Sequence, residues 1–200
     1  MIKLYKGIIF FGGPGSGKGT IIDNIRNSEI TSKLGYKVMP LIHISTGQIL
    51  RDEIKNETDA GLEALSYIKK GELVPDKQIT DVLTSYIQQN SESYQNHIIG
   101  FDGFPRTISQ ADKLSKLVDI LAVLYNEVPH QVMVQRMESR YKQDPSRGKE
   151  DNIKRIIEFQ DKTKPLLEFY DNLGLLKTVD GTKTPLDVAK QTLEVLQPFY

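Results

Sequence analysis

The sequence contains no cysteine among its 200 residues, and this absence excludes several kinds of chemistry. Disulfide bonds, catalytic thiols and zinc sites with cysteine ligands cannot form. Histidine is also scarce. His43, His97 and His130 lie far apart and lack the spacing of metal ligands, so we interpret them as packing or surface residues. The sequence therefore predicts no zinc site.

The chain also lacks an excess of charge and a long apolar run. Its 26 basic residues balance 26 acidic ones. A broad surface for nucleic acid or membrane usually carries a basic excess, so neither partner is expected. No apolar run approaches the roughly 18 residues that span a bilayer. The first residues, MIKLYKGIIFF, lack a signal-peptide cleavage pattern, which predicts a cytoplasmic protein.

Short apolar runs alternate with longer helical patterns, which predicts a parallel sheet covered by helices. Strands are expected near Ile8–Phe11, Val38–Ile44, His97–Phe101, Leu121–Tyr125 and Leu176–Val179. Helices are expected at Lys18–Asn27, Gly47–Lys55, Leu62–Lys70, Lys77–Gln89, Ser109–Val118, His130–Tyr141, Asn152–Leu173 and Pro185–Leu196. Pro165 should begin a new helix or kink the long one.

The first strand leads into the segment GGPGSGKGT, residues 12–20. Alternate glycines let a backbone turn expose its N–H groups to an anion, and a helix N-terminus adds partial positive charge. Lys18 could reach the β and γ phosphates. In the usual pattern Ser or Thr follows the lysine directly, whereas here Gly19 intervenes before Thr20. A glycine-rich turn without ligand is the weaker interpretation, because a strand precedes the segment and a helix follows it.

Three further motifs suggest a second phosphate site. HISTGQILRDEI (43–54) places Arg51 one turn inside a helix, and GELVPD (71–76) closes the segment inserted after the second strand. GFDGFPRTISQAD (100–112) ends the third strand. Asp102, at that strand end, could hold Mg²⁺ through water. Gln110 offers one donor and one acceptor group to a base edge.

These motifs, in this order, resemble the adenylate kinase family of nucleoside monophosphate kinases from Gly12 through VDGTK (179–183). The phosphate loop is common to many relatives, but STG with DGFPRTISQ is much more specific. The resemblance implies an α/β P-loop NTPase fold with a five-stranded parallel sheet flanked by helices. It also implies a monomer that catalyses ATP + AMP = 2 ADP with Mg²⁺.

The resemblance further implies one kinase domain with two small additions. The core would comprise 1–45, 75–140 and 151–200, with an AMP-binding subdomain at 46–74 and a lid at 141–150. Only six residues separate Arg140 from Arg147, so the lid is of the short form. Without cysteine it carries no zinc.

The family's site residues carry over by motif. The ATP site would contain Gly13, Gly15, Ser16, Gly17, Lys18, Gly19, Thr20, Arg136, Arg140 and Lys183. The AMP site would contain Thr46, Arg51, Glu72, Leu73, Val74, Gly103, Phe104, Pro105, Arg106, Gln110, Arg147 and Arg155. The catalytic cations would be Lys18, Arg106, Arg140, Arg147 and Arg155. Asp102 would hold magnesium through water, with no direct protein ligand assigned.

Two positions depart from the family pattern. Gln48 replaces the usual aspartate of STGD, which removes a negative charge near the phosphates and the metal. The spacing of Arg147 and Arg155 is short, and Lys154 competes with Arg155 for the last lid position.

Three other functions would fit parts of the sequence. A kinase for UMP or CMP would usually have Ala in place of Thr46 and Asn in place of Thr107, and Gln110 also favours adenine. A catalytically silent nucleotide-binding relative is suggested by Gln48 and the shortened lid helix. A P-loop ATPase that uses water as acceptor would leave STG and FPRT without a role.

Overall fold

The computed structural model describes residues 5–70, 74–143 and 156–200. Its strands are β1 (Tyr5–Phe11), β2 (Leu41–Ser45), β3 (Ile98–Asp102), β4 (Val118–Glu127) and β5 (Leu176–Asp180). They pair in parallel, in the order β2-β3-β1-β4-β5. The predicted α/β class and the five-stranded parallel sheet are therefore confirmed.

Helices connect consecutive strands, as a parallel sheet requires. They are α1 (Lys18–Arg26), α2 (Ser28–Lys33), α3 (Thr46–Lys55), α4 (Asp59–Ile68), α5 (Asp76–Gln89), α6 (Ser91–Tyr94), α7 (Ile108–Ser115), α8 (His130–Gln143), α9 (Pro165–Asn172) and α10 (Pro185–Leu196). A π-helix at Phe159–Thr163 precedes α9, and a 3₁₀ turn at Gln197–Phe199 follows α10.

The core lies on both faces of the sheet, because alternate residues of a strand point to opposite sides. Ile9 and Phe11 of β1 belong to the cluster that includes Phe101 and Leu166. Ile8 and Phe10 belong to the opposite cluster, which packs under α1 and α10. Consequently the strand ends, rather than the sheet faces, are left for a site.

Several element boundaries differ from the prediction. The expected helix Ser109–Val118 ends at Ser115, since Val118 is fully buried and starts β4 opposite Tyr5. The second strand begins at Leu41 instead of Val38, which is 43% exposed. The short helix α2 was not predicted. It begins because the Asn27 side chain accepts hydrogen bonds from the backbone N–H groups of Glu29 and Ile30.

The long helix predicted over Asn152–Leu173 is interrupted in its described part. The π-helix ends at Thr163, and Pro165 occupies the first turn of α9. Proline is tolerated there because the first N–H groups of a helix have no intrahelical partner. Of the two alternatives predicted for Pro165, a new helix and a kink in the long one, the structure shows the new helix.

Candidate active site

The glycine-rich loop joins the carboxyl end of β1 to the first turn of α1. Gly15 and Gly17 have φ values of +78° and +95°, which favour glycine. A side chain at Gly15 would also place its Cβ 2.5 Å from the carbonyl oxygen of Met133 in α8. The loop therefore lies against α8 in a shape that other residues adopt only with strain, and the N-terminus of α1 lies at its end.

Lys18 folds back over this loop. Its Nζ donates hydrogen bonds to the carbonyl oxygens of Gly12 at 2.8 Å and Gly13 at 3.3 Å. Such bonds hold the ammonium group at the mouth of the loop, where an anion bound by the backbone N–H groups would lie. This position is consistent with the role predicted for Lys18 in phosphate binding.

Two side chains fix the Ser16 carbonyl. The Nδ2 atom of Asn126 in β4 donates to this oxygen at 2.6 Å, and Nη1 of Arg136 donates at 3.3 Å. Arg136 also donates through Nη2 to the Gly181 carbonyl at 2.9 Å. The structure therefore brings three segments predicted for ATP, around Ser16, Arg136 and Gly181, into direct contact.

The second group of predicted residues assembles at the ends of β2 and β3. Thr46 is buried, and its Oγ1 lies 3.4 Å from the Asp102 carbonyl oxygen. Arg106 donates through Nε to the Gly103 carbonyl at 2.9 Å. Gly103 has a φ of +83°, and a Cβ there would lie 2.8 Å from Thr46 Oγ1. Thr46, Gly103 and Arg106 therefore lie together across two neighbouring strand ends.

Gln110 lies deeper than expected for a residue that contacts a ligand. Only 2% of it is exposed. Its Oε1 accepts from the Arg106 backbone N–H at 2.7 Å, and its Nε2 donates to Oδ1 of Asp76 at 2.7 Å. The other Asp76 oxygen accepts from the Thr107 hydroxyl at 2.6 Å. Gln110 is therefore already held at both ends of its amide.

The unusual Gln48 makes defined contacts. Its Oε1 accepts from Nη2 of Arg51 at 2.8 Å, and its Nε2 donates to Oδ1 of Asp52 at 2.8 Å. All three side chains lie on the first turns of α3. Gln48 therefore orients the Arg51 guanidinium with a neutral partner instead of an anion, which leaves the positive charge of Arg51 available to a phosphate.

Asp102 ends β3 between the two groups of residues. One of its oxygens lies 3.6 Å from Nε2 of His43. Burial alone would raise the pKa of Asp102, but His43, Lys18 and Arg106 together lower it below its ordinary value of 3.8. The carboxylate thus stays ionised beside the lysine of the loop and the arginine of the second group.

Comparison with known proteins identifies the family. The sequence model of the adenylate kinase family matches residues 10–175. The chain belongs to the adenylate kinase family. It is 36% identical to the adenylate kinase of Porphyromonas gingivalis over 96% of each chain. It is also 38% identical to that of Bacteroides thetaiotaomicron, over 88% of this chain and 90% of the relative. The Thermus thermophilus adenylate kinase is 35% identical, over 90% of this chain and 91% of the relative.

Of the remaining residues predicted for the two sites, some lie in the described part of the chain and others do not. Arg140 is exposed on α8, one turn beyond Arg136, and Lys183 is exposed in the loop before α10. Phe104 and Pro105 are buried, and the Val74 side chain packs in the same core cluster as Phe104. Glu72, Leu73, Arg147, Arg155 and the alternative Lys154 lie outside the described residues.

Magnesium would fit an adenylate kinase site at Asp102, because an ionised carboxylate beside the phosphate loop can hold a hydrated cation. Within residues 5–70, 74–143 and 156–200, no three acidic, histidine or cysteine side chains group as a set of direct metal ligands. Those ranges also contain no helix long and apolar enough to cross a membrane.

Sequence analysis missed two residues of this arrangement, Asn126 and Asp76. The available signal for Asn126 was a single polar residue in the apolar run LAVLYN, since a buried amide in a strand requires a partner. For Asp76 the sequence offered only its place as the last residue of the motif GELVPD. Both partners, Ser16 and Gln110, are distant in sequence, so no local pattern connects them.

Proposed function

We propose that this chain catalyses the family's reaction, the reversible transfer of the terminal phosphoryl group of Mg²⁺–ATP to AMP, which gives two ADP. One observation carries the assignment to these residues. Asp102, the last residue of β3, pairs in register with Phe10 of β1, so the loop that carries Lys18 and the turn that carries Arg106 leave neighbouring strands at the same edge of the sheet. A phosphoryl group could pass there between a nucleotide on the loop and a nucleotide beside Arg106.

The donor site is proposed to use the backbone of the loop and the cations around it. Backbone N–H groups and the start of α1 would bind the phosphates, and Lys18 would reach their outer oxygens. Arg136, held between the Ser16 and Gly181 carbonyls, would border the adenine. Magnesium, when bound with ATP, supplies positive charge to the phosphate oxygens, and Asp102 would hold it through water.

The acceptor site is proposed to hold AMP between α3 and the start of α7. Arg51 and Arg106 would bind the phosphate, because a guanidinium forms paired hydrogen bonds to its oxygens. Thr46 and Gly103 would line the pocket, and Gln110 would contact the adenine edge. The attacking group is an anionic phosphate oxygen, so the reaction requires positioning and charge stabilisation and no strong general base.

The two additions to the core would exclude water from the transferred group. We propose the subdomain at 46–74 and the short lid at 141–150 as these covers, with Arg140, Arg147 and Arg155 completing the ring of cations. A monomer in the cytoplasm, without nucleic-acid or membrane partners, is proposed for the whole chain. Its neutral net charge supports the last part of this proposal.

The decisive experiment supplies Mg²⁺–ATP with AMP, GMP, CMP or UMP and separates the products by chromatography. Two ADP formed for each AMP consumed, with little transfer to the other acceptors, is the expected result. Transfer to CMP or UMP instead would assign the chain to another monophosphate kinase. Binding of ATP and AMP without transfer would assign it as a silent relative.

A variant pair links the activity to the proposed site. Arg106→Ala should lower turnover by about 10³-fold, as for other cations that stabilise a transferred phosphoryl group. Lys33→Ala is the control, because Lys33 is exposed on α2 and pairs only with neighbouring Glu29 at 3.5 Å among the contacts described. Near-normal turnover of Arg106→Ala would remove Arg106 from the mechanism.

A further inference from the structure

The carboxylate of Asp76 has no part in the assignment so far, although it contacts Gln110 of the proposed acceptor site and the nearby Thr107. Asp76 begins α5 and is half-buried. Its Oδ1 accepts from Nε2 of Gln110 at 2.7 Å, and its Oδ2 accepts from the Thr107 hydroxyl at 2.6 Å. The Thr107 oxygen in turn accepts from the Gln110 backbone N–H and caps α7.

We propose that Asp76 is a positioning residue that fixes the orientation of the Gln110 amide and thereby makes the acceptor site select adenine over a 6-oxopurine. This inference rests on the proposed function, since it requires a purine monophosphate beside Gln110. It extends that function by assigning base selectivity to a residue that need not touch the base.

The orientation of the amide follows from the chemistry of its two partners. A carboxylate only accepts hydrogen bonds, so the NH₂ end of Gln110 must face Asp76. A backbone N–H only donates, so the oxygen end must face Arg106. Rotating the amide by 180° would place oxygen against Oδ1 of Asp76 and NH₂ against the Arg106 N–H. Both buried hydrogen bonds would then be lost.

Among the contacts of the described residues, each end of the fixed amide makes one of the two hydrogen bonds available to it. One N–H and one oxygen lone pair are therefore left for a ligand. This remainder is one donor and one acceptor in a set order. It complements the adenine edge, which presents an accepting ring nitrogen and a donating amino group. Hypoxanthine presents the reverse, a donating ring N–H and an accepting oxygen, and would require the rotated amide.

The carboxylate is itself restrained, which a positioning role requires. The Thr107 hydroxyl occupies Oδ2 and leaves Oδ1 directed at Gln110. Burial of Gln110 prevents water from replacing a lost partner at low cost. A site built on buried hydrogen bonds discriminates strongly against a ligand that would leave them unmade.

The test compares kcat/KM for AMP with kcat/KM for IMP, using Mg²⁺–ATP as donor. Asp76→Asn has nearly the same shape but can either donate to or accept from Gln110. Asp76→Ala removes the acceptor entirely and serves as a second variant if the first fails to fold. Asp81→Asn is the matched control, because it makes the same chemical change at an exposed position of α5. Thermal unfolding checks that each variant is folded.

We expect wild type and Asp81→Asn to share a high AMP-to-IMP ratio, and both Asp76 variants to lower it by about tenfold. A general structural defect would lower kcat/KM for both acceptors and leave the ratio unchanged. An unchanged ratio in folded Asp76→Asn or Asp76→Ala overturns the role of Asp76, while the kinase function stands. Absence of AMP phosphorylation in the wild-type protein overturns the proposed function itself.

Discussion

Gly103 connects backbone conformation with the proposed acceptor site. Its φ is +83°, and a methyl group there would lie 2.8 Å from Thr46 Oγ1 and 3.3 Å from Arg106 Nη2. We expect Gly103→Ala to destabilise the protein by about 1–2 kcal/mol through the left-handed backbone alone. Because the methyl group also displaces two acceptor-site side chains, KM for AMP should rise at least severalfold.

Gly174→Ala separates the two effects. Gly174 also has a left-handed φ of +71°, but no atom lies within 4 Å of the position that its Cβ would occupy. We expect this variant to lose similar stability in chemical denaturation while retaining the AMP kinetics of wild type. Equal KM values for AMP in the two variants would show that contacts at Gly103 do not shape the acceptor site.

Single residues of the site differ in how far sequence could predict them. Lys18, Thr46 and Arg106 lie inside dense local motifs, so their grouping at the strand ends could be predicted. Asp76 and Asn126 act on residues 34 and 110 positions away. One sequence carries no local pattern for such pairs, because their contact is created by the order of the strands. Likewise, the hydrogen bonds that hold both ends of the Gln110 amide depend on burial that its motif does not encode.

At the scale of elements, α3 and α4 form the described part of the proposed AMP-binding subdomain. Gly61 in α4 faces the backbone of α3 so closely that a Cβ would overlap the carbonyl group of Glu53. We expect Gly61→Ala to force the helices apart at a cost of about 1–3 kcal/mol. Since α3 carries Thr46 and Arg51, KM for AMP should increase while KM for ATP changes little.

The control for this pair of helices is Glu63→Ala. Glu63 is exposed on α4, so this substitution adds no atom to the interface between α3 and α4. Steady-state kinetics with each nucleotide varied in turn gives both KM values. If Gly61→Ala raises the two KM values equally, the α3–α4 unit does not belong to the acceptor site alone.

The boundaries of helices and strands, like the long-range contacts, could be predicted from the sequence only in part. Periodicity located all five strands, yet β4 extends at its start to Val118, three residues earlier than expected. The sequence pattern predicts a helix that ends at Val118, because an apolar residue at that point suits either a helix or a strand. The burial of Val118 beside β1, which decides the matter, is a tertiary effect. The effect of Pro165, by contrast, comes from its own ring, so an interruption of the helix at this residue could be predicted from the local sequence.

At the scale of the whole molecule, the strand order creates the site. Parallel strands direct their carboxyl ends to one edge, and the order β2-β3-β1 places the ends carrying Thr46, Asp102 and the phosphate loop side by side. A chain of zero net charge can therefore concentrate cations at one edge. Asp102 ends the strand between β2 and β1, so its carboxylate lies at this same edge, 3.6 Å from Nε2 of His43.

This arrangement predicts how stability depends on acid. Burial raises the pKa of Asp102, but His43, Lys18 and Arg106 lower it to below 3.8 in the folded protein. A carboxyl whose pKa is depressed on folding stabilises the folded state above its unfolded pKa, and this contribution is lost as the pH falls through the folded pKa. We therefore expect Asp102→Asn to be less stable than wild type at neutral pH, by a difference that shrinks below pH 3.8.

Urea unfolding of wild type and Asp102→Asn at about pH 7, 5 and 3 measures this difference. Asp112→Asn is the control, because Asp112 is an exposed carboxyl that pairs with Lys116 on the protein surface. Exposed pairs contribute little, so the control should follow wild type closely at each pH. A constant difference between wild type and Asp102→Asn across the series would mean that the cations at this edge do not stabilise the Asp102 carboxylate. The proposed donor and acceptor cations would then have to be held together by other groups.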